Sequence, residues 1–383
     1  MNLDATQQRA VELSIDSRFH MVNGGAGTGK THTMRHLADQ LTALRRKVAL
    51  CAFAGKAAAR LREATGHPAT TIHRLLGYNG VAYTGCSLMD TDVIVDESSM
   101  VDIHLMAEII NRKPNRLILV GDQAQLTPVG KGQPFHDMLN IFPERVTTLT
   151  NCYRNSEAVF QAALQIRAGA FPPDKLKSAN ESWKLMQTGG PERTHAAILD
   201  AVRSGHIDFS QDIILVGRNG DMPCAVDSLN RDIVAIVNPR KADEKFRPGD
   251  RVINTKNNAE MDVWNGTTGT IATIDGAGCP WVDLDEPTGN GETRVLFGKD
   301  MRKHLQLAYA MTVHKSQGSQ YRRVLLAVLD RDTHTVLDRS LVYTGVTRTR
   351  NACAVMGEKH AFYQSIRKVK HKATVMQTMA GKL

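Results

Sequence analysis

Several features that mark particular classes of protein are scarce or missing in this sequence of 383 residues. Its six cysteines include no C-x-x-C pair, and no histidine stands at the spacing of a zinc ligand, so neither a disulfide scaffold nor a zinc site is favoured. No stretch approaches the ~20 apolar residues that span a bilayer, and the first residues lack a basic segment followed by an apolar one. We therefore expect a cytoplasmic protein with no membrane partner.

The chain also lacks internal repeats, low-complexity tracts and long linkers rich in proline, glycine or serine. These absences exclude repeat arrays and strings of loosely tethered modules. Because 383 residues exceed one ordinary hydrophobic core, and hydrophobic residues make up 42% of the chain, the sequence predicts two or three domains packed in one assembly.

Positive charge is in excess. Lysine and arginine number 48 against 39 aspartates and glutamates, which gives a formal net charge of +9. Such a surplus favours an anionic partner such as nucleic acid. A generally basic soluble protein is the alternative, because a net count does not locate a positive patch.

Short apolar runs rich in β-branched residues alternate with helical stretches through most of the chain. This alternation predicts parallel sheets covered by helices, with ligands bound where the strands end. The predicted strands are 19–22, 48–53, 93–95 and 117–120 in the first half, and 213–216, 324–328, 341–344 and 353–356 in the second. Residues 246–298 hold short strands broken by glycine, proline, asparagine and aspartate, which predicts a small antiparallel barrel.

A phosphate-binding loop is predicted directly after the first strand. Eight residues match the pattern G-x-x-x-x-G-K-S/T: Gly24, Gly25, Ala26, Gly27, Thr28, Gly29, Lys30 and Thr31. The glycines let backbone N–H groups approach phosphates at a helix N-terminus, the lysine reaches the β- and γ-phosphates, and the threonine hydroxyl binds Mg²⁺. A dinucleotide-binding turn is disfavoured, because position 30 is lysine rather than a small residue.

Two further polar segments follow strands of the same predicted sheet. Asp96 and Glu97 come after 93–95, and we expect Asp96 to contact Mg²⁺ and Glu97 to orient and activate the attacking water. Gln125, after the next strand, is placed to sense the γ-phosphate. Taken alone, such residues are usually solvated loop side chains, and it is the upstream phosphate-binding loop that favours catalysis.

Taken together, the motifs resemble those of superfamily-one helicases, specifically the RecD/Dda-like branch that moves 5′ to 3′. The resemblance covers essentially the whole chain and rests on the order and spacing of its segments. They are Leu3-x-x-x-Gln7, GGAGTGKT (24–31), AGKAAARL (54–61), TTIH (70–73), DESSMVD (96–102), GDQAQLTPVGKG (121–132), NCYRN (151–155), TVHKSQGSQ (312–320) and YTGVTRTR (343–350).

The resemblance implies an α/β fold of two RecA-like P-loop domains with ATP and Mg²⁺ in the cleft between them. The first domain would be residues 1–149, with a short pin hairpin at about 77–88. The second would be 150–245 with 299–383, and 246–298 would be an inserted barrel of the Src-homology-three type (SH3-like).

The resemblance also implies roles for residues around the nucleotide. Gln7 would contact the adenine and Tyr153 would stack against it. Gln125, Arg154 and Arg348 would contact the γ-phosphate, the arginines acting as fingers that make domain closure depend on an intact nucleotide.

The same resemblance implies a groove for single-stranded nucleic acid. Its lining residues would be Phe53, Thr71, His73, Thr312 and His314, with Asn257 and Trp264 nearby. Side chains of these types bond phosphate oxygens or stack on bases, as sequence-tolerant binding requires. For either histidine and for Trp264, a packing role is the alternative interpretation.

The resemblance places a strand-splitting pin in the short segment 77–88, and the residues themselves predict a hairpin there. Asn79-Gly80 is a hairpin-turn signal, and Tyr78 and Tyr83 flank it closely enough to present aromatic faces to a duplex junction. The alternative is that both tyrosines pack the loop against its domain.

The sequence therefore predicts a monomeric ATP hydrolase that moves along single-stranded DNA and opens duplex junctions, in a bacterial or phage-infected cell. Replication, repair or recombination proteins are candidate partners. An ATP-dependent clamp or switch without processive unwinding, and an RNA rather than a DNA substrate, stay open as alternatives. A plain metabolic P-loop kinase is disfavoured because it gives no reason for the motifs of the second half.

Overall fold

The computed structural model describes residues 3–151, 153, 157–179, 181–239, 245–258, 260–288 and 290–370. Contacts between Cα atoms divide the chain into a first compact unit that includes Met1–Asn155 and a second formed by Ser156–Val369. Within the described ranges, no helix combines the length and the apolar character that crossing a bilayer requires.

The first unit is a parallel sheet with helices on both faces. Its strands are β1 (Phe19–Gly24), β2 (Lys47–Ala52), β3 (Ala69–Thr71), β4 (Thr91–Asp96), β5 (Arg116–Gly121) and β6 (Val146–Leu149). Its helices are α1 (Ala5–Asp16), α2 (Lys30–Ala43), α3 (Gly55–Thr65), α4 (Ile72–Leu75), α5 (Ile103–Asn111) and α6 (Pro134–Ile141). All strands are parallel in the order β3-β2-β4-β5-β1-β6, so their carboxyl ends share one edge.

Side chains that alternate between the two faces bury this sheet on both sides. In β4, Val93 and Val95 pack with α5 and α6 on one face, while Ile94 packs with α1 and α2 on the other. Strands buried on both faces read as continuous apolar runs. For this reason each of the four strands predicted in the first half overlaps an observed strand.

The second unit contains a second sheet and an inserted one. Its strands are β7 (Lys175–Lys177), β8 (Ser182–Gln187), β9 (Ile213–Val216), β10 (Arg251–Asn254), β11 (Thr268–Ile274), β12 (Pro280–Leu284), β13 (Arg294–Leu296), β14 (Leu305–Leu307), β15 (Ala310–Thr312), β16 (Tyr321–Val328) and β17 (Thr349–Gly357). Its helices are α7 (Ala158–Ala168), α8 (Pro191–Arg203), α9 (Val226–Val237), α10 (Lys299–Arg302), α11 (Asp330–Thr333), α12 (Arg339–Val346) and α13 (Lys359–Arg367).

The larger sheet of this unit has the order β15-β9-β16-β17-β8-β7, in which only β7 runs antiparallel to its neighbour. The inserted sheet is antiparallel in the order β13-β12-β11-β10-β14. It has its own apolar core, which includes Val252, Ile271, Val282 and Phe297. Its last strand, Leu305–Leu307, lies beyond the segment 246–298 in which the sequence predicts a barrel.

One predicted strand is wrong. Residues 341–344 lie within helix α12, whose start is capped because the Asp338 side chain accepts a hydrogen bond from the N–H of Leu341 at 2.9 Å. The side chains of this segment are buried all round the helix, so the run shows no helical period in the sequence. A short apolar run of this kind is compatible with a buried strand and with a buried helix alike.

Candidate functional site

The phosphate-binding loop connects β1 to α2, and its backbone explains its glycines. Gly27 and Gly29 have φ angles of 76° and 79°, in the left-handed region that side chains disfavour. A Cβ atom built on Gly29 would also lie 2.3 Å from Nε2 of Gln7. A larger residue at position 29 would therefore have to displace the Gln7 side chain, which packs against the loop from α1.

The start of α2 is arranged to hold an anion. The helix begins at Lys30, and no side chain of the described residues caps it, so the N–H groups of its first turn, which contains Thr31, are not occupied by such a cap. The Lys30 ammonium donates to the carbonyl oxygens of Gly24 and Gly25 at 2.8 and 3.1 Å. An uncapped helix N-terminus beside a fixed cation favours phosphate.

The acidic pair lies where β4 ends. Asp96 is the last residue of the strand, and its Oδ1 accepts a hydrogen bond from the N–H of Glu97 at 2.8 Å. The pKa of the Asp96 carboxyl is raised to about 7, chiefly by burial and then by the charge of Glu97, against the lowering effect of Lys30 and Arg60. The cation of the phosphate-binding loop thus acts on this carboxyl.

The backbone of Glu97 is in the left-handed region, with φ 50° and ψ 39°, immediately before the 3-10 turn Ser98–Met100. Its Oε2 atom is buried and has no hydrogen-bond partner among the described residues. Both features cost free energy, since a buried carboxylate oxygen without a donor and a side chain at positive φ are each unfavourable. Such positions are typical of sites that a ligand completes.

The loop after β5 presents Gln125 on the same edge of the sheet. Its N–H donates to the carbonyl oxygen of Asp122 at 3.1 Å, and its Oε1 atom is buried without a partner in the described part of the chain. Asn23, near the end of β1, ties this loop to the phosphate-binding strand by accepting from the N–H of Gln123 at 3.2 Å. The sequence motifs do not single out Asn23, and the signal that points to it is a polar residue within an otherwise apolar strand.

These groups fit a nucleotide with Mg²⁺. Lys30 and the N-terminus of α2 match phosphate, and the side chains of Thr31 and Asp96 carry oxygen atoms of the kind that could hold Mg²⁺. The unpartnered oxygens of Glu97 and Gln125 follow β4 and β5 on the same edge. The arrangement can bind a phosphate chain, hold a cation and accept a proton.

Gln7 and Tyr153 both lie against the phosphate-binding loop. Gln7 is fully buried, and its Nε2 donates to the carbonyl oxygen of Thr28 at 3.1 Å. Tyr153 is exposed, and its N–H donates to the carbonyl oxygen of Gly27 at 3.2 Å. The structure thus brings the two predicted base contacts together at the loop.

Of the two predicted arginine fingers, Arg348 is among the described residues and Arg154 lies outside them. Arg348 belongs to the second unit, where it is buried just after the end of α12. Its Nε donates to the carbonyl oxygen of Thr344 at 3.1 Å, which holds the guanidinium against the helix.

Four predicted nucleic-acid contacts form one aromatic cluster beyond the ends of β2 and β3. The ring of His73 lies 6.1 Å from Phe53, 5.6 Å from Tyr78 and 6.1 Å from Tyr83, between centroids. The two tyrosine rings are 4.8 Å apart. Burial lowers the pKa of His73, against an opposite effect of Asp102, so the imidazole is neutral at pH 7.

The chain forms a tight turn between the two tyrosines. Tyr78 and Tyr83 are joined by a single antiparallel bridge, and the N–H of Asn79 donates to the carbonyl oxygen of Ala82 at 3.1 Å. The Asn79 side chain in turn accepts from the N–H groups of Val81 and Ala82. Val81, in the turn, is 91% exposed, so the turn projects an apolar residue into solvent.

The two predicted threonine contacts occupy equivalent positions in their sheets. Thr71 ends β3, and its hydroxyl oxygen accepts from the N–H of Arg74 at 3.2 Å. Thr312 ends β15, and its hydroxyl oxygen accepts from the N–H of Lys315 at 3.3 Å. Because each oxygen acts as acceptor, the O–H groups can still donate to a phosphate. His314 is half-buried two residues after Thr312.

The other two predicted contacts lie in the inserted sheet. Asn257 accepts from the N–H of Asn265 at 2.8 Å, and Trp264 donates its indole N–H to Asp262 at 2.9 Å, so Asn257 and Trp264 share one loop region. Within the described ranges, no hydrogen bond joins Trp264 to Thr312.

The chain is similar to known helicases along most of its length. Residues 2–187 match the family described as an AAA domain, and residues 307–356 match the UvrD-like helicase C-terminal domain. The ATP-dependent RecD2 DNA helicase of Deinococcus radiodurans is 34% identical over 372 residues, covering 94% of this chain and 50% of that protein. The RecBCD enzyme subunit RecD of Mycobacterium tuberculosis is 30% identical over 412 residues, covering 92% and 69%. The chain thus spans about half the length of the first relative.

Solved structures agree on the fold. The Pif1 helicase from Bacteroides, in complex with ADP-AlF3 and single-stranded DNA, has a TM-score of 0.62 at 19% identity and covers 100% of this chain and 98% of its own. The Pif1 helicase from Candida albicans has a TM-score of 0.55 at 18% identity, with coverages of 100% and 99%. At these identities the likeness concerns the arrangement of elements, which here is two parallel sheets with an antiparallel sheet inserted in the second half.

Proposed function

Because the chain belongs to the RecD-like branch of superfamily-one helicases, we propose that it is an ATP-driven motor that moves 5′ to 3′ along single-stranded DNA and unwinds duplexes. One observation carries the proposal, namely that a single edge of the first sheet presents two kinds of site. The phosphate-binding loop, the acidic pair and Gln125 follow β1, β4 and β5, and the aromatic cluster lies beyond β2 and β3. A motor needs its nucleotide site and its nucleic-acid site on connected elements, so that hydrolysis of ATP can change the affinity for the strand.

ATP is the substrate of this proposal, and Mg²⁺ when bound would neutralise phosphate charge. Lys30 and the first-turn N–H groups of α2 would hold the β- and γ-phosphates, and Thr31 and Asp96 would hold the metal. Glu97 would take a proton from the attacking water, because its buried oxygen has no competing donor among the described residues. Gln125 would contact the γ-phosphate or the water.

Two arginines would complete the catalytic site, and the rest of the chain would form the two motor domains. Arg154 and Arg348 would stabilise transition-state charge, so that each cycle of hydrolysis closes and reopens the enzyme. Residues 1–149 would form the first motor domain, with a pin hairpin at 77–88, and residues 150–245 with 299–383 would form the second. The inserted sheet would be a small SH3-like barrel.

Single-stranded DNA would contact both motor domains. In the first, Phe53, His73 and Thr71 would supply stacking faces and a hydroxyl donor. In the second, Thr312 and His314 would contact the backbone, and the loop that contains Asn257 and Trp264 would hold the strand from the barrel. The formal charge of +9 favours such contacts with phosphate.

Unwinding assays on tailed duplexes test the proposal. ATP hydrolysis should rise when single-stranded DNA is added, and a DNA duplex with a 5′ tail should be unwound faster than one with a 3′ tail. Duplexes of RNA with the same tails distinguish the substrate class. Hydrolysis stimulated by DNA without unwinding of either duplex would favour an ATP-dependent clamp, and unwinding of RNA alone would contradict the assigned substrate.

A further inference from the structure

A hydrogen-bond network joins the start of α1 to the phosphate-binding loop through Asp4, a residue to which no role is yet assigned. The hydroxyl of Tyr153 donates to Oδ2 of Asp4 at 2.7 Å and lies 3.1 Å from Oε1 of Gln7. The backbone N–H of Asp4 donates to the same Gln7 oxygen at 3.1 Å, and Nε2 of Gln7 donates to the carbonyl oxygen of Thr28 at 3.1 Å. Both polar atoms of the Gln7 side chain therefore have protein partners.

Tyr153 is the outer member of this network. Gln7 is 0% exposed whereas Tyr153 is 59% exposed. A Cβ atom built on Gly29 would lie 2.3 Å from Nε2 of Gln7 and 3.4 Å from Cε2 of Tyr153, so the amide and the ring contact the same turn of the loop. The tyrosine oxygen therefore lies beside the Gln7 amide that is predicted to contact a base.

Asp4 makes the bond to the tyrosine a charge-assisted one. Its carboxylate also accepts from the N–H groups of Thr6 and Gln7 at 2.7 and 2.8 Å, as the cap of α1, and is thereby held in place. Burial acts to raise the pKa of Asp4, but the bonds from Gln7, Thr6 and Tyr153 lower it, so the acceptor is ionised at neutral pH. The bond to Asp4 raises the pKa of Tyr153, so the phenol stays a donor.

We infer that Asp4 and the Tyr153 hydroxyl form a latch that competes with the nucleotide base for Gln7, and that Asp4 thereby sets the affinity for nucleotide. The inference rests on the proposed function, in which Gln7 contacts adenine. The single proton of the tyrosine hydroxyl is donated to Asp4, so its oxygen only occupies the space 3.1 Å from Oε1 of Gln7. A bound base would replace that oxygen by the exocyclic amine of adenine, which is a donor. The released ring can then stack on the base.

The latch predicts which ligands it affects. Opening it costs the same free energy for every nucleotide whose base uses Gln7, so it lowers the affinity for all of them. It does not affect phosphates without a base, because the hydroxyl occupies the base-facing amide rather than Lys30 or the N-terminus of α2. Removing the latch should therefore strengthen nucleotide binding, although a hydrogen bond is lost.

Equilibrium binding of ADP and of inorganic tripolyphosphate to the full chain tests the latch. Tyr153→Phe keeps the ring and removes the hydroxyl, and Asp4→Ser keeps a helix cap but shortens the side chain away from the tyrosine. Each substitution should lower the Kd for ADP about three- to tenfold, the range of one net hydrogen bond, and leave the Kd for tripolyphosphate unchanged.

Two comparisons complete the design. Because both substitutions remove the same bond, the double variant should show no further gain in ADP affinity. Asp16→Ser, which removes an exposed carboxylate at the other end of the same helix, is the matched control and should change neither Kd. Thermal unfolding of each variant checks that α1 remains intact.

A Kd for ADP in Tyr153→Phe that equals or exceeds the wild-type value would overturn the latch, as would a parallel shift for tripolyphosphate. This variant keeps the fold even if Asp4→Ser does not, because the hydroxyl belongs to an exposed side chain. Failure of the proposed function can be told apart from failure of the latch. In that case the wild-type chain would bind no ADP, or would not hydrolyse ATP in the presence of single-stranded DNA.

Discussion

At the scale of single residues, Lys30 supplies the positive charge of the nucleotide site. Its ammonium is held against the loop carbonyls and acts on Asp96, so its removal leaves the β- and γ-phosphates without a cation from the loop. Lys30→Ala should abolish ATP hydrolysis and unwinding, with Lys47→Ala, an exposed lysine of β2, as control. Steady-state kcat is the measurement. A variant that keeps more than about a tenth of the wild-type kcat has lost under ~1.4 kcal/mol of transition-state stabilisation. Such a result would contradict the assignment of residues 24–31 as the phosphate-binding loop.

Glu97 allows binding to be separated from chemistry. Glu97→Gln keeps the shape of the side chain but removes the base, so kcat should fall about 10²- to 10⁴-fold while ATP still binds. Stopped-flow fluorescence with a fluorescent ATP analogue measures binding, and a steady-state assay of ATP hydrolysis measures kcat. Glu63→Gln, at an exposed position of α3, should change neither. Loss of binding together with turnover would make Glu97 a structural or metal-holding residue.

The residues of the nucleotide site differ in how far the sequence can predict them. The phosphate-binding loop and the acidic pair are predictable because the chemistry demands fixed residue types at fixed spacing. Asp4 and Asn23 are not, because their importance arises from contacts with residues about 100 or more positions away. The left-handed backbone of Glu97 is likewise a product of the fold, since no local pattern demands it.

At the scale of elements, the turn between Tyr78 and Tyr83 is the candidate pin. Replacing residues 79–84 by a two-glycine turn removes Tyr83 from the aromatic cluster but touches none of the predicted nucleotide contacts. ATP hydrolysis at saturating single-stranded DNA should therefore be nearly intact. Unwinding should fall steeply, because an aromatic face that replaces a base-pair partner is worth about 1–3 kcal/mol. Unwinding at the wild-type rate would rule out the pin, and loss of hydrolysis would show that the segment supports the fold.

Strand β1 contains a buried titratable group that makes stability depend on pH. Burial, and then Arg145, lower the pKa of His20 from 6.5 to about 4, while its Nε2 lies 2.9 Å from the hydroxyl of Thr147. Between these values the unfolded chain binds the proton more readily than the folded one. The contribution of His20 to the free energy of unfolding should therefore fall as pH drops from about 6.5 towards 4, by up to ~1.4 kcal/mol per pH unit. The raised pKa of Asp96 acts in the opposite direction over the same range, so the effect of His20 is read from a variant rather than from the wild type alone.

Urea unfolding at pH 7 and pH 5 measures this contribution. His20→Gln removes the titrating group but keeps a polar side chain, so the change in its free energy of unfolding from pH 7 to pH 5 should be less unfavourable than that of the wild type. His104→Gln, an exposed histidine of α5, should behave as the wild type does. An identical change in His20→Gln and wild type would show that other groups account for the pH dependence.

Elements are predictable where the sequence period matches the packing. The strands of the first sheet follow from their continuous apolar runs, because both faces are covered by helices. The same rule fails at 341–344, where α12 is buried all round and the period of a helix is hidden. The cap from Asp338 decides between the two structures, and it is a weak signal in the sequence.

At the scale of the whole molecule, the resemblance to superfamily-one helicases of the RecD branch is confirmed by the relatives, and the two parallel sheets with an antiparallel insertion are confirmed by the fold. The family and the sheet architecture could be predicted from the sequence, because the order of motifs over nearly the whole chain is far more specific than any one motif. The SH3-like type of the barrel and the domain limits remain predictions. The residue roles also remain predictions, since they depend on contacts with ligands.

Movement along the strand distinguishes a motor from a clamp. A motor that moves 5′ to 3′ pushes against an obstacle at the 3′ end, whereas a clamp binds and releases without net displacement. With streptavidin on a biotinylated oligonucleotide of DNA, the chain should displace the protein from the 3′ end much faster than from the 5′ end, and only with ATP. Because each step requires hydrolysis, Glu97→Gln should bind the same oligonucleotide and displace nothing. Equal displacement from both ends would refute directional movement, and none from either end would favour the clamp.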